Sequence, residues 1–290
     1  MRAVFQWGLA ARSIELGKRT LIMGIVNVTP DSFSDDGFYL DSEKAVAHAL
    51  QLLDEDADII DVGGESTRPG ASVGSVNAEE ELRRVLPVIA EMKKQRPNAL
   101  ISIDTYKASV ARAAVAAGAE IVNDVSGLRW DRQMAKTIAE LKCGVVVMHM
   151  RGRPEEWRTL PPPGDIVLQI KRELRDWIET AVVAGVKREK IALDPGFGFG
   201  KNFEQNHPLL ARFEEFQSMG LPLLAGTSRK SFIGRMLAKD GKDAAPADRL
   251  YGNLAAQTAL ILKGAHILRT HDVKASVEAA RVADTILTAR

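Results

Sequence analysis

Two aspartates, Asp104 in ISIDT and Asp194 in LDPGFGFG, stand at the ends of runs that are otherwise apolar, and Asn123 ends a third such run in EIVND. Carboxylates beside an amide offer charged acceptors and an N–H2 donor. That set suits a flat heterocycle with a guanidine-like edge as well as it suits general acid–base work. A single Asp at a strand end more often caps the next turn, but three short polar groups on neighbouring runs argue for a shared cavity. Proton transfer needs a shifted pKa, which only surroundings supply, so both uses stand open at this point.

Five polar loops add to these groups. NVTPDSFSDDG (27–37) contains Asn27 and Asp35, oxygen ligands of the kind magnesium accepts beside water and substrate phosphate. Taken singly, each is more commonly a turn cap. GGESTRPGA (63–71) sets Thr67, Arg68 and Pro69 behind two glycines, and an Arg on such a loop can grip phosphate in bidentate fashion. In DPGFGFGKN (194–202) the glycines let backbone approach a ligand, and Phe197 and Phe199 could flank a planar ring. Their order is not that of a dinucleotide fingerprint. GTSRKSFIG (226–234) reads as a helix capped by Ser228 with Arg229 and Lys230 in its first turn. Cations there oppose the helix dipole and point to an anionic or polar ligand. RTHD (269–272) adds Arg269 and His271.

These loops leave eight apolar runs: LIMGIVNV (21–28), ADIIDVGG (57–64), ALISIDT (99–105), EIVND (120–124), GVVVMHM (144–150), KIALDPG (190–196), LPLLAGTS (221–228) and AHILRTHD (265–272). Continuous Val/Ile/Leu runs with little alternation suit strands buried on both faces. Helical spacing follows almost every one. Leu82, Val85, Leu86, Ile89 and Met92 form one apolar face, and Val167, Ile170, Leu174, Trp177 and Ala181 another. Repeated strand–helix units predict an α/β fold, a (β/α)8 barrel in which the strand ends converge on one rim. An open doubly wound sheet has the same local signals; the count of eight at this length favours the barrel. AVFQW (3–7) and SIEL (13–16) around GLAAR predict a hairpin plugging the barrel's N-terminal end. The expected organisation is one domain, with the hairpin over 1–18 and the barrel over 20–290.

Lys+Arg at 39 and Asp+Glu at 38 nearly cancel, so no global field recruits nucleic acid or a membrane surface. No run is long enough to span a bilayer and no signal-peptide core is present. The lone Cys143 starts a buried strand and reads as structural, in keeping with a reducing cytoplasm.

NVTPDSFSDDG, DVGGESTRPGA, ISIDT, VNDVSG, MHMRG, LDPGFGFGK, GTSRKS, DRLYGNLA and RTHDV closely resemble, in order, the motifs of bacterial dihydropteroate synthases, from about Met23 to the last helix. The resemblance implies a pterin-binding barrel that condenses 6-hydroxymethyl-7,8-dihydropterin pyrophosphate with p-aminobenzoate. By position, Asp104, Asn123, Asp194 and Lys230 would hold the pterin, with Arg269 stacked on its ring. Asn27, with Asp35 as a second contact, would bind Mg²⁺, while Arg68, Arg269 and His271 would face the pyrophosphate. Thr67, Pro69, Phe33, Phe199 and Ser231 would form the p-aminobenzoate pocket. A homodimer through the last helices is also implied. Asp36 stands where the family often has Gly. Tyr106 stands where it has a small hydroxyl residue, a change expected to affect only the start of the third helix.

Two other functions fit parts of this pattern. A related barrel presenting methyl-tetrahydrofolate for methyl transfer shares the ring-binding Asp and Asn but needs no pyrophosphate cations, so TRPG, SRKS and RTHD argue against it. A pterin-binding homologue without catalysis would be expected to lack one of Arg68, Lys230, Arg269 or His271, and all four are present.

Overall fold

A computed structural model of the chain describes residues 2–28, 38–65, 76–157, 159–162 and 164–289. The chain begins with an antiparallel hairpin of β1 (Phe5–Gly8) and β2 (Ser13–Leu16). Eight parallel strands follow: β3 (Leu21–Asn27), β4 (Ile59–Gly63), β5 (Ile101–Asp104), β6 (Ile121–Asp124), β7 (Gly144–Met148), β8 (Ile191–Asp194), β9 (Leu224–Ala225) and β10 (Ile267–Thr270). Each falls within one of the eight apolar runs. They neighbour one another in chain order from β3 to β8, while β10 lies between β3 and β9. A parallel bridge between Leu193 and Leu223 brings β8 to the segment entering β9, so the sheet closes on itself. This is the barrel expected from the sequence, not an open sheet.

Helices α1 (Phe38–Asp54), α2 (Ala78–Gln95), α3 (Ala108–Ala116), α4 (Met134–Leu141), α5 (Ile166–Val183), α6 (Asn206–Ala211), α7 (Ser231–Met236), α8 (Leu250–Leu262) and α9 (Val273–Thr288) follow the strands. The start of α2 is set by Asn77, whose side chain accepts from the Glu80 N–H at 2.8 Å. Its buried face is rotated slightly from the expected one: Val85, Val88, Ile89 and Met92 are fully covered, whereas Leu82 and Leu86 are half-buried. No described helix is long and apolar enough to cross a membrane.

Strand side chains alternate between the helix layer and the barrel interior. Met23, Ile59, Ile121, Val146, Ala192, Leu224 and Ile267 form one interior layer, and Trp7, Leu9 and Leu16 of the hairpin pack against it. Trp7 is fully buried and its indole N–H donates to the Lys190 carbonyl at 2.8 Å. The hairpin therefore plugs one end of the barrel, leaving the other for chemistry. Cys143 is a buried free thiol, pushed up to about 12 by burial, as a structural cysteine should be.

Candidate active site

Two residues beyond Ile59, Ile121, Ala192 and Ile267, the same inward faces present Asp61, Asn123, Asp194 and Arg269, and Asp104 occupies the matching place on β5. The alternation that builds the apolar layer thus also delivers a polar ring above it. Asp104 and Asn123 are direct cross-strand partners. Arg269 reaches across the mouth from β10, donating from Nε to Asp61 at 2.6 Å and from Nη2 to Asp104 at 2.7 Å. Asn123 donates from Nδ2 to the same Asp61 oxygen at 3.0 Å. Burial pushes Asp104 up to about 7; the Arg269 charge pulls back and the Asp61 charge adds to the rise. Arg269 is held above its ordinary value because Asp61 and Asp104 outweigh the burial that opposes its charge.

The β8 loop is folded around Asp194, whose Oδ1 accepts from the Gly196 N–H at 2.7 Å. Gly196 has φ +70°, and a Cβ there would lie 1.9 Å from the His149 carbonyl, so only glycine fits this turn. Burial lifts Asp194 to about 6, opposed by that N–H and by the charges of Lys230 and Lys201. Phe199 projects over the loop, with the Lys230 ammonium 3.8 Å from its ring centre and Trp157 meeting it edge-on at 6.1 Å. Phe197 corrects the expectation of two ring-flanking phenylalanines: it is buried and stacks with Phe213 and Phe232 in the core.

The loops after β9 and β10 meet through Ser228 and His271. The Ser228 hydroxyl lies 3.0 Å from His271 Nδ1 and accepts from the His271 backbone N–H at 3.2 Å. Ser228 is therefore not a helix cap: α7 begins at Ser231 with Lys230 in the cap position. Arg229 is likewise not in the helix; it has φ +57° and pairs with Asp272 at 2.8 Å. Asn27 is half-buried at the end of β3. Phe33, Asp35, Thr67, Arg68 and Pro69 lie outside the described residues.

Three features carry more than the sequence suggested. Asp61 lies in the apolar run IIDVG and is bonded to two other members of the ring. Lys201, buried below the β8 loop, donates to the carbonyls of Gly196 at 2.7 Å, Phe199 at 3.0 Å and His149 at 3.2 Å. Tyr106 does more than open the third helix. Its hydroxyl donates to Glu65 at 2.8 Å, its ring meets Trp130 edge-on at 4.9 Å, and neighbouring Lys107 bridges Glu65 and Glu81. His149 turns away from the mouth: its Nε2 lies 3.0 Å from Glu173, its ring stacks on Trp177, and burial pushes it down to about 3.

The sequence profile of the family described as pterin binding enzyme matches residues 23–271. The dihydropteroate synthase of Escherichia coli (strain K12) is 46% identical over 269 residues, covering 93% of this chain and 92% of its own. That of Bacillus subtilis (strain 168) is 44% identical over 270 residues, covering 93% and 90%. The chain belongs to the pterin-binding enzymes, among the dihydropteroate synthases. A solved structure of the Xanthomonas albilineans dihydropteroate synthase with 4-aminobenzoic acid has a TM-score of 0.88 at 44% identity, covering 97% of this chain and 98% of that one. Another from the same organism, in complex with 7,8-dihydropteroate, has a TM-score of 0.82 at 42% identity, covering 94% and 96%. The chain is thus a transferase. It joins 6-hydroxymethyl-7,8-dihydropterin pyrophosphate to p-aminobenzoate, giving 7,8-dihydropteroate and pyrophosphate.

Proposed function

We propose that the polar ring at the barrel mouth seats the dihydropterin of this reaction, edge-on to Asp104, Asn123, Asp194 and Lys230 and with one face against Arg269. The observation that carries this reading is the convergence of two carboxylates, an amide and a guanidinium from β5, β6, β8 and β10 on one mouth. A guanidine-like edge presents N–H donors, and Asp104 and Asp194 supply the charged acceptors that pair with them best. Phe199, Lys230 and Ser231, joined by Phe33, Thr67 and Pro69, form the p-aminobenzoate pocket. Relatives solved with 4-aminobenzoic acid and with 7,8-dihydropteroate support placing both substrates at this mouth.

Arg68, Arg269 and His271 face the pyrophosphate. Asn27 ends β3, between β10 and β4, whose loops carry His271 and Arg68. Its amide oxygen with the Asp35 carboxylate, completed by water and phosphate oxygens, is a donor set that Mg²⁺ accepts. When bound, the ion would neutralise charge on the leaving group. Arg269 and His271 oppose the negative charge that grows as the bond between the exocyclic methylene and the pyrophosphate oxygen breaks. The leaving group takes that electron pair. The neutral aniline nitrogen then forms the C–N bond with its lone pair and releases a proton. No strong base is needed, so the residues supply position and charge, with Asp104 and Asp194 as binders.

All 290 residues act as one domain in this reading. A reducing, cytoplasmic setting suits the single cysteine. A homodimer through α8 and α9 suits the exposed Tyr251, Leu262, Val282 and Ile286. The test is pyrophosphate release with both substrates, with and without Mg²⁺, alongside calorimetry on Asp194→Ala. Loss of pterin-pyrophosphate binding in that variant is expected; unchanged binding refutes the seat.

A further inference from the structure

We propose that Asp61 is the positioning residue of the pterin seat, acting through Asn123 and Arg269 and not by touching the reacting atoms. The inference rests on the seat proposed above and deepens it.

Asp61 is fully buried on β4, and a single oxygen, Oδ2, receives both the Asn123 amide and the Arg269 Nε–H. A carboxylate paired with a guanidinium only accepts. The Asn123 amide must therefore turn its N–H2 toward Asp61 and its carbonyl oxygen to the opposite side. An amide in isolation can present either end to a ligand; Asp61 removes that choice and makes Asn123 an acceptor for a ring N–H. Arg269 is fixed at two points, Nε on Asp61 and Nη2 on Asp104. Two contacts to one planar group set its plane, which a stacking partner for a flat ring requires.

The cost of keeping Asp61 supports a role beyond packing. Its second oxygen, Oδ1, is buried with no hydrogen-bond partner among the described residues, and so is the Ser102 hydroxyl at the paired position on β5. A buried acceptor left unbonded lowers stability. A leucine, branched like aspartate though larger, would bury no unbonded acceptor, and it would leave Asn123 and Arg269 without their shared anchor. In Asp61→Asn, by contrast, one carbonyl oxygen can still accept from both partners, so the geometry survives while the charge goes.

The experiment is calorimetric titration of 6-hydroxymethylpterin into the wild type, Asp61→Leu and Asp61→Asn, with KM measured for each substrate in the coupled assay. Asp61→Leu should weaken pterin binding by about 10- to 100-fold, the loss expected from one or two hydrogen bonds to a charged group. Its KM for p-aminobenzoate should stay within about threefold of wild type, a shift smaller than the loss of one such bond. Asp61→Asn should recover most of the pterin affinity. It should also move the pH midpoint of binding downward, because the Asp61 charge is one of the influences that raise Asp104. Asp61→Ala carries the same expectation as Asp61→Leu should the larger residue prevent folding.

Wild-type pterin affinity in both apolar variants overturns the role of Asp61 and leaves the seat standing. Equal losses for both substrates, or an Asn variant as weak as the Leu variant, also overturn it. A wild-type protein that fails to bind the pterin overturns the seat, and this inference with it.

Discussion

Replacing Lys201 with Met tests whether a buried cation organises the β8 side of the mouth. Its ammonium has three N–H donors, and three carbonyls receive them: Gly196 at 2.7 Å, Phe199 at 3.0 Å and His149 at 3.2 Å. Burial draws Lys201 well below its ordinary value, while the Asp194 charge opposes this. Hydrogen bonds to a charged group are worth roughly 1.5–3 kcal/mol each, so three amount to about 4–9 kcal/mol. Two carbonyls keep a backbone donor after the change, Gly196 from Phe199 at 3.2 Å and Phe199 from Arg151 at 3.5 Å. Removing a buried ion also returns several kcal/mol of desolvation cost. The net loss is then about 2–4 kcal/mol, which for a chain of this size lowers Tm by roughly 3–7 °C.

The same loop holds Phe199 under Lys230, so KM for p-aminobenzoate should rise several-fold, roughly the loss of a cation–π contact. Scanning calorimetry and steady-state assays measure both effects. A Tm within about 2 °C of wild type together with unchanged KM values would show that the loop is held by other means and refute the reasoning.

Pterin affinity should tighten as pH rises through about 6 to 7, the values to which burial lifts Asp194 and Asp104, because the ring's N–H donors favour the ionised carboxylates; a flat profile would exclude these acceptors. The folded protein retains the Asp104 proton where the unfolded chain, with its lower pKa, has lost it. Asp104 therefore contributes less stability as pH rises from about 4 to 7, and Asp104→Asn should remove that part of the Tm slope over the same range. Phe199→Ala should raise KM for p-aminobenzoate by about 3- to 30-fold and spare pterin binding, reflecting a contact worth about 0.5–2 kcal/mol; the reverse pattern would move Phe199 to the pterin side. Asn27→Ala should shift the Mg²⁺ titration of activity to higher concentration while 6-hydroxymethylpterin binds as before, and equal loss of both would indicate that Asn27 serves folding.

Local chemistry determined the elements. Burial on both faces makes a strand continuously apolar, so eight runs could be read as eight strands, and helical spacing between them implied the barrel. Asp104, Asn123, Asp194 and Arg269 were legible because the inward-facing residue at the C-terminal end of such a run opens on the rim, whereas His149, at the end of another run, faces outward to Glu173 and Trp177. What those residues bond to was not legible. Arg269 meets Asp61 across 208 positions of chain, and Lys201 reaches back 52 positions to His149. Nothing local to IIDVG or to GFGFGK encodes either partner; barrel closure brings them together.

The local reading failed where a distant partner competed for the same group. The Ser228 hydroxyl, a natural cap for the helix beside it, turns to His271 from 43 positions away. Phe197 and Phe199 are indistinguishable by type and spacing, yet the turn between them sends one ring into the core and the other to the mouth. Tyr106 reaches Glu65, on the loop of the neighbouring strand, because β4 and β5 pair side by side. Periodicity and residue type act over a few neighbours and determine which face a side chain takes; pairing between strand ends depends on how the whole sheet closes, and that only the tertiary structure decided.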